Sequence, residues 1–71
     1  MKLHYYPETD SLYIELKPTP GTKTREVAEG LVVDLDERDE VVGFDLDFAS
    51  KQFDLSKIET VALPLPRTSA A

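Results

Sequence analysis

The sequence predicts a mainly β (α+β) fold, an antiparallel β-meander of four to five strands with a short helical segment near the C-terminus. Three observations support this fold class. Apolar and polar residues alternate in several short runs, as they do in strands with one buried face. Proline, glycine and short polar residues separate these runs. The alternation ends after Phe48, where residues 49–53 fit a short helix.

The first predicted hairpin joins residues 2–6 to residues 11–16 through a polar turn. Its alternation directs Leu12 and Ile14 toward the core, and Tyr6 and Tyr13 away from it. Residues 17–22 contain two prolines and a glycine, which do not fit a central strand, so this segment is predicted to be a loop that leads to the next strand.

The third strand, residues 24–28, is the least regular, and Gly30 after it can supply the positive φ of a hairpin turn. A two-residue loop would pair Ala28 with Leu31. Simple alternation then places Glu26 on the same face as Val33 and buries a charge. A bulge near Glu26 or a longer loop would avoid this, and the sequence leaves both alternatives open.

The second hairpin, residues 31–48, has a strongly specified register, because a slip of one residue would bring aspartates into the core. Three apolar pairs follow: Leu35 with Val42, Val33 with Phe44, and Leu31 with Leu46. The same register places Gly43 across from Asp34, which avoids a contact between like charges.

Asp47 is expected to cap the short helix, with Phe48 and Phe53 covering one end of the sheet. Residues 60–65 are apolar and contain Pro64, so they are either an edge strand or a segment that packs against a partner. Residues 1–66 therefore form one small domain, and residues 67–71 are expected to be a disordered tail.

Composition excludes several classes of function. The 71 residues suffice for one domain, and the absence of cysteine excludes disulfides and thiolate metal sites. The net charge is −6, and the eight basic residues are scattered, so neither nucleic acid nor an anionic membrane is an expected partner. With no apolar stretch suited to a signal peptide or membrane span, the chain is expected to be cytoplasmic.

Two stretches carry a resemblance to a known family. The first is YPETDSLYI at residues 6–14, and the second is TREVAEGLVVDLD at residues 24–36, continuing through VVGFD to Ala49 and Ser50. Over residues 4–52 the chain resembles domain-of-unknown-function family 2283, a family of small bacterial proteins. The family usually has glycine in the turn after Asp-x-Asp, where this chain has Asp39, a residue type that tolerates a left-handed backbone.

This resemblance implies no activity, catalytic residue or cofactor. Some members of the family are similar in genomic setting to the antitoxin half of toxin–antitoxin pairs. The residues themselves point away from an enzyme: His4 is the only histidine, and no serine lies in a nucleophile motif. A divalent-metal-binding protein or metal-dependent enzyme that uses Asp34, Asp36 and Asp45 is the alternative hypothesis.

The favoured hypothesis is a small acidic protein-interaction module without enzymatic activity. Its partner would be a second copy of the chain, giving a dimer or other homo-oligomer, or a basic, toxin-like protein. A small core favours such association, and exposed strand edges offer main-chain groups to a partner. The candidate interaction surface is the face away from the core: Tyr6, Tyr13, Val32, Asp34, Asp36, Val41 and Asp45.

Overall fold

The computed structural model describes residues 1–64, so the predicted tail at residues 67–71 lies outside the described part of the chain. Five strands and one short helix follow one another: β1 (Lys2–Tyr6), β2 (Ser11–Glu15), β3 (Lys23–Ala28), β4 (Leu31–Leu35), β5 (Val41–Leu46) and α1 (Ala49–Gln52). The fold is mostly an antiparallel sheet with a short helix after the last strand, which confirms the predicted fold class.

The five strands form one sheet in the order β1-β2-β5-β4-β3. All four pairs of adjacent strands in this sheet are antiparallel, and three of the pairs join strands that are neighbours in the sequence. The exception is β2, which pairs with β5, so the chain must cross to the far edge of the sheet before β3 begins. Residues 16–22 make this crossing, and the prolines in this loop are therefore kept out of the sheet.

The β4–β5 hairpin has the predicted register with one local change. Val33 pairs with Phe44 and Leu31 with Leu46, as expected, but Leu35 pairs with Val41 because a bulge interrupts the ladder there. The extra residue is Val42. It remains on the core side and is 1% exposed. A bulge places two residues opposite one, so the apolar side chain is buried without shifting the rest of the strand.

A second bulge settles the question that the sequence left open in β3. The two-residue loop does pair Ala28 with Leu31, and Gly30 has the positive φ of 80°. The register shifts between Glu26 and Ala28, so Glu26 pairs with Val32 on the outer face. The bulge therefore keeps the Glu26 carboxylate out of the core, and the longer loop is not used.

Cross-strand pairing aligns the apolar side chains in rows on one face of the sheet, the core face. Two rows cross four strands each, and their members pair as follows: Tyr5, Leu12, Leu46 and Leu31 in one row, and Leu3, Ile14, Phe44 and Val33 in the other. Among the strands, burial is deepest in β5 and β4, at Val42, Leu35 and Val33. It decreases toward β1, whose five residues are all exposed.

Helix α1 closes one end of the core face, where Ala49 is completely buried. The predicted N-cap at Asp47 is wrong. The chain reverses at Phe48, which has a φ of 53° and occupies the N-cap position without a side-chain cap, while the Asp47 backbone N–H donates to the Gly30 carbonyl. The turn of the first hairpin performs the capping instead, because the Asp10 carboxylate accepts hydrogen bonds from the backbone N–H and hydroxyl of Ser50.

The two phenylalanines flanking the helix do not seal the sheet as expected, since Phe48 and Phe53 are each about half exposed. Residues 60–64 form no strand, and Val61 and Leu63 are exposed, so the edge-strand alternative fails for this part of the segment. Within residues 1–64, no helix is long and apolar enough to cross a membrane.

Candidate functional site

The face opposite the core, here the outer face, carries most of the residues singled out from the sequence. Pairing aligns Tyr13 of β2 with Asp45 of β5, and Asp45 with Val32 of β4. Asp34 lies on the same face, opposite Gly43. The structure therefore brings together four members of the predicted surface: Tyr13, Val32, Asp34 and Asp45.

Tyr13 spans the outer face rather than projecting from it. Its hydroxyl donates a 2.8 Å hydrogen bond to Oδ2 of Asp34, which lies two strands away. The ring passes over Gly43, where an added Cβ would lie 2.6 Å from the Tyr13 Cζ atom. The glycine was predicted only to separate charges, but it also leaves the space that the tyrosine ring occupies.

Burial and the Asp34 carboxylate together raise the pKa of Tyr13 to about 12, with burial the larger cause. Tyr13 therefore remains a neutral hydrogen-bond donor well above physiological pH. The pKa of Asp45, its cross-strand neighbour, is also raised, first by burial and then by the negative charges of Asp47 and Asp34. Negative charge on the outer face is therefore crowded and partly removed from water.

A groove of about 430 Å³ opens beside Tyr13, at the end of the sheet where β1 leads into its turn and β5 ends. We call it the aromatic groove. Three aromatic rings and two carboxylates dominate its lining, which consists of Tyr6, Thr9, Ser11, Tyr13, Asp45, Asp47 and Phe48. None of these lining residues is basic, so the carboxylates face the groove without a cation from the described part of the chain.

Phe48 and Asp47 were not part of the predicted surface. The sequence pattern placed Phe48 on the core side by simple alternation with Phe44 and Leu46. The left-handed backbone at Phe48 breaks this alternation, so its ring lines the groove. A bulky residue rarely adopts positive φ, and nothing in the local sequence indicates it.

Asp36 lies at the end of the sheet away from the aromatic groove, where its side chain forms hydrogen bonds within the β4–β5 turn. It is buried, and its Oδ1 accepts hydrogen bonds from the backbone N–H groups of Arg38 and Glu40. Lys17 lies 3.5 Å from its other oxygen. The two backbone bonds and Lys17 lower the pKa of Asp36, although burial opposes them. This carboxylate therefore holds the β4–β5 turn together. Val41 of the predicted surface is exposed at the start of β5.

A second groove, of about 420 Å³, lies beside this turn, between the crossing loop and residues 36–40. Three of its charged side chains pair with one another, since Lys17 contacts both Asp36 and Glu40. Mutual neutralisation leaves less free charge to attract a ligand than the aromatic groove offers.

The metal hypothesis required Asp34, Asp36 and Asp45 to converge. The structure does not bring the three together, because Asp34 and Asp45 share the outer face whereas Asp36 lies at the opposite end of the sheet and is hydrogen-bonded within its own turn. Among residues 1–64, no three histidine, aspartate or glutamate side chains are arranged to hold a metal ion.

Comparison with known proteins gives a family but no function. The family model described as "Protein of unknown function (DUF2283)" matches residues 2–50, more than half of the chain. Neither the curated proteins nor the solved structures contain a match to the chain. The matched range includes all five strands and the Ala49-Ser50 pair at the start of α1. The chain therefore belongs to family DUF2283, a family whose function is unknown.

Proposed function

We propose that the protein is a small interaction module without enzymatic activity, and that its outer face binds a basic segment of another protein through the aromatic groove. The observation that carries this proposal is the lining of that groove, in which the rings of Tyr6, Tyr13 and Phe48 accompany the carboxylates of Asp45 and Asp47. Aromatic faces attract cations, and carboxylates form charge-assisted hydrogen bonds with guanidinium groups.

Electrostatics supports a cationic ligand. The raised pKa of Asp45 reflects burial together with repulsion from Asp47 and Asp34. A bound arginine or lysine side chain would relieve this repulsion, whereas an anionic ligand would increase it. The net charge of −6 would also accelerate the encounter with a basic partner.

Size and exposure support a side chain as the ligand. The groove of about 430 Å³ is open, and Tyr6 and Phe48 are about half exposed, so a ligand could cover both rings. Aromatic side chains that become buried on binding are often the residues that contribute most of the binding energy at an interface. An antitoxin-like role, in which the partner is a basic toxin, is one instance of this proposal.

The proposal is tested with a short peptide that contains a single arginine between glycines, blocked at both ends. Titration into isotopically labelled protein is followed by NMR. We expect saturable shifts at Tyr6, Tyr13 and Phe48. Replacing the arginine with citrulline, a neutral analogue of nearly the same shape, should abolish these shifts because the ligand's charge is lost.

The matched variants are Asp45→Asn with Asp47→Asn, which remove two charges from the groove, and Asp54→Asn with Glu59→Gln, which remove two charges elsewhere. The first pair should weaken binding about tenfold or more, because two charge-assisted contacts are lost. The second pair should change it little. Equal weakening by both pairs would show general attraction to an acidic protein and would contradict the proposed site.

A further inference from the structure

The two edges of the sheet differ in how they are protected. β1 and β3 are the edge strands. β3 contains a bulge at Val27 and the charged residues Lys23, Arg25 and Glu26, which are features that discourage pairing with another strand. β1 pairs regularly with β2 over all five residues and contains neither proline nor a bulge. Its outer side is therefore a regular edge suited to strand addition.

The core face is incomplete at this edge. Leu3 and Tyr5 point to the core side and begin the two apolar rows, yet they are 45% and 44% exposed. Their cross-strand neighbours Ile14 and Leu12 are more buried. A strand added beside β1 would cover both side chains and extend each row by one member.

We propose that β1 pairs with β1 of a second copy of this chain, in antiparallel orientation, to form a continuous ten-stranded sheet. The register with full overlap is self-complementary about His4. It places Leu3 opposite Tyr5 of the second copy, Lys2 opposite Tyr6, and His4 opposite itself. Such an arrangement is the two-fold contact in which both copies use the same surface.

Charge explains why a second copy would join at this edge. Of the five strands, β1 alone contains no aspartate or glutamate. Two chains with a net charge of −6 repel each other, and the β1 edge lets them meet with no strand carboxylate between them. The Lys2–Tyr6 pairs formed across the contact would add two cation–π interactions.

Sedimentation equilibrium of the full chain tests the proposal. The wild type should have twice the monomer mass of 8.0 kDa at high concentration and dissociate on dilution. Leu3→Glu introduces an inward charge at the contact and should weaken the dimer about tenfold or more. Val27→Glu introduces the same charge at the β3 edge, where Val27 is 54% exposed, and should leave the dimer intact. Circular dichroism checks that each variant is folded.

Cysteine cross-linking gives a second test that does not depend on Leu3→Glu remaining folded. The chain contains no cysteine, so one introduced thiol reports on one position. His4→Cys should give a disulfide-linked dimer rapidly on oxidation, because residues directly opposite in antiparallel strands have nearby Cβ atoms. Thr24→Cys at the β3 edge is the control. A monomeric wild type, or equal cross-linking at both positions, would overturn the proposal.

Discussion

Tyr13 and Asp34 are joined by a hydrogen bond of 2.8 Å that crosses the whole width of β5. The tyrosine belongs to the first hairpin, and the aspartate belongs to the unit formed by the last three strands. A single side-chain contact therefore ties together two parts of the sheet that are far apart in the sequence. Gly43 makes this contact geometrically feasible, because the ring lies directly over it.

Replacing Gly43 with alanine should destabilise the fold by about 1–3 kcal/mol, the range seen when a packed site is overfilled. The new Cβ would meet the Tyr13 ring and would lie 2.9 Å from the Ile14 carbonyl oxygen. Chemical denaturation measures the effect. Gly21→Ala is the control, since its Cβ would lie 3.3 Å from the Asp34 side chain. A loss no larger at Gly43 than at Gly21 would contradict this account.

Tyr13 should ionise above the ordinary range of tyrosine in an alkaline titration followed by phenolate absorbance, because its pKa is raised to about 12. The folded state holds the Tyr13 proton more tightly than the unfolded chain, so stability should fall as pH rises from about 10 toward 12. Tyr13→Phe should remove the late ionisation. Asp34→Asn should lower the Tyr13 pKa only part of the way, because burial remains. Full return to the ordinary value would assign the shift to Asp34 alone.

Asp36 should contribute to the acid sensitivity of the protein. Hydrogen bonds from Glu40 and Arg38 and the nearby Lys17 lower its pKa in the folded state. The resulting stability is present above the unfolded value near 3.9 and is lost as pH falls through the lower folded value. Thermal unfolding of Asp36→Asn should show a smaller loss between about pH 5 and pH 2. Glu37→Gln, which removes a charge from the same turn but leaves the hydrogen bonds of Asp36 in place, is the control.

Asp39 lies in the turn between β4 and β5 and has a left-handed φ of 63°. Its side chain forms an ion pair with Lys23 on β3. Asp39→Ala should lose this exposed pair and retain the backbone strain. Asp39→Gly should lose the pair but relieve the strain, so it should be more stable than Asp39→Ala by about 1 kcal/mol. Equal stability of the two variants would show that the left-handed backbone carries little cost.

The alternation of apolar residues was sufficient to predict the strands, the turns and most of the central register. A register shifted by one residue would bury the aspartates of β4 and β5, and burial of an unpaired carboxylate costs free energy. It could not predict strand order, because the pairing of Ile14 with Phe44 depends on how distant segments meet. The bulge that buries Val42 could not be predicted from the sequence either, because a valine fits either face of a strand.

The candidate site was only partly predictable for the same reason. Outward alternation identified Tyr6, Tyr13 and Asp45, which the structure brings into one groove. It also selected Asp36, whose carboxylate is taken up by neighbouring backbone N–H groups. Phe48 was missed because its own backbone is left-handed, which turns its ring away from the core side. Hydrogen bonding between α1 and the Asp10 turn accompanies this conformation, and it joins segments that are distant in the sequence.

The crossing loop at residues 16–22 has a consequence for the order of folding. β3, β4 and β5 are consecutive and pair through short turns, whereas β2 meets β5 only after a segment of about 30 residues has been closed. The three-strand unit should therefore nucleate folding, and the first hairpin should dock afterwards. A chain cut within the loop should yield two fragments that reassemble through the β2–β5 ladder, with Tyr13 and Asp10 making their bonds last.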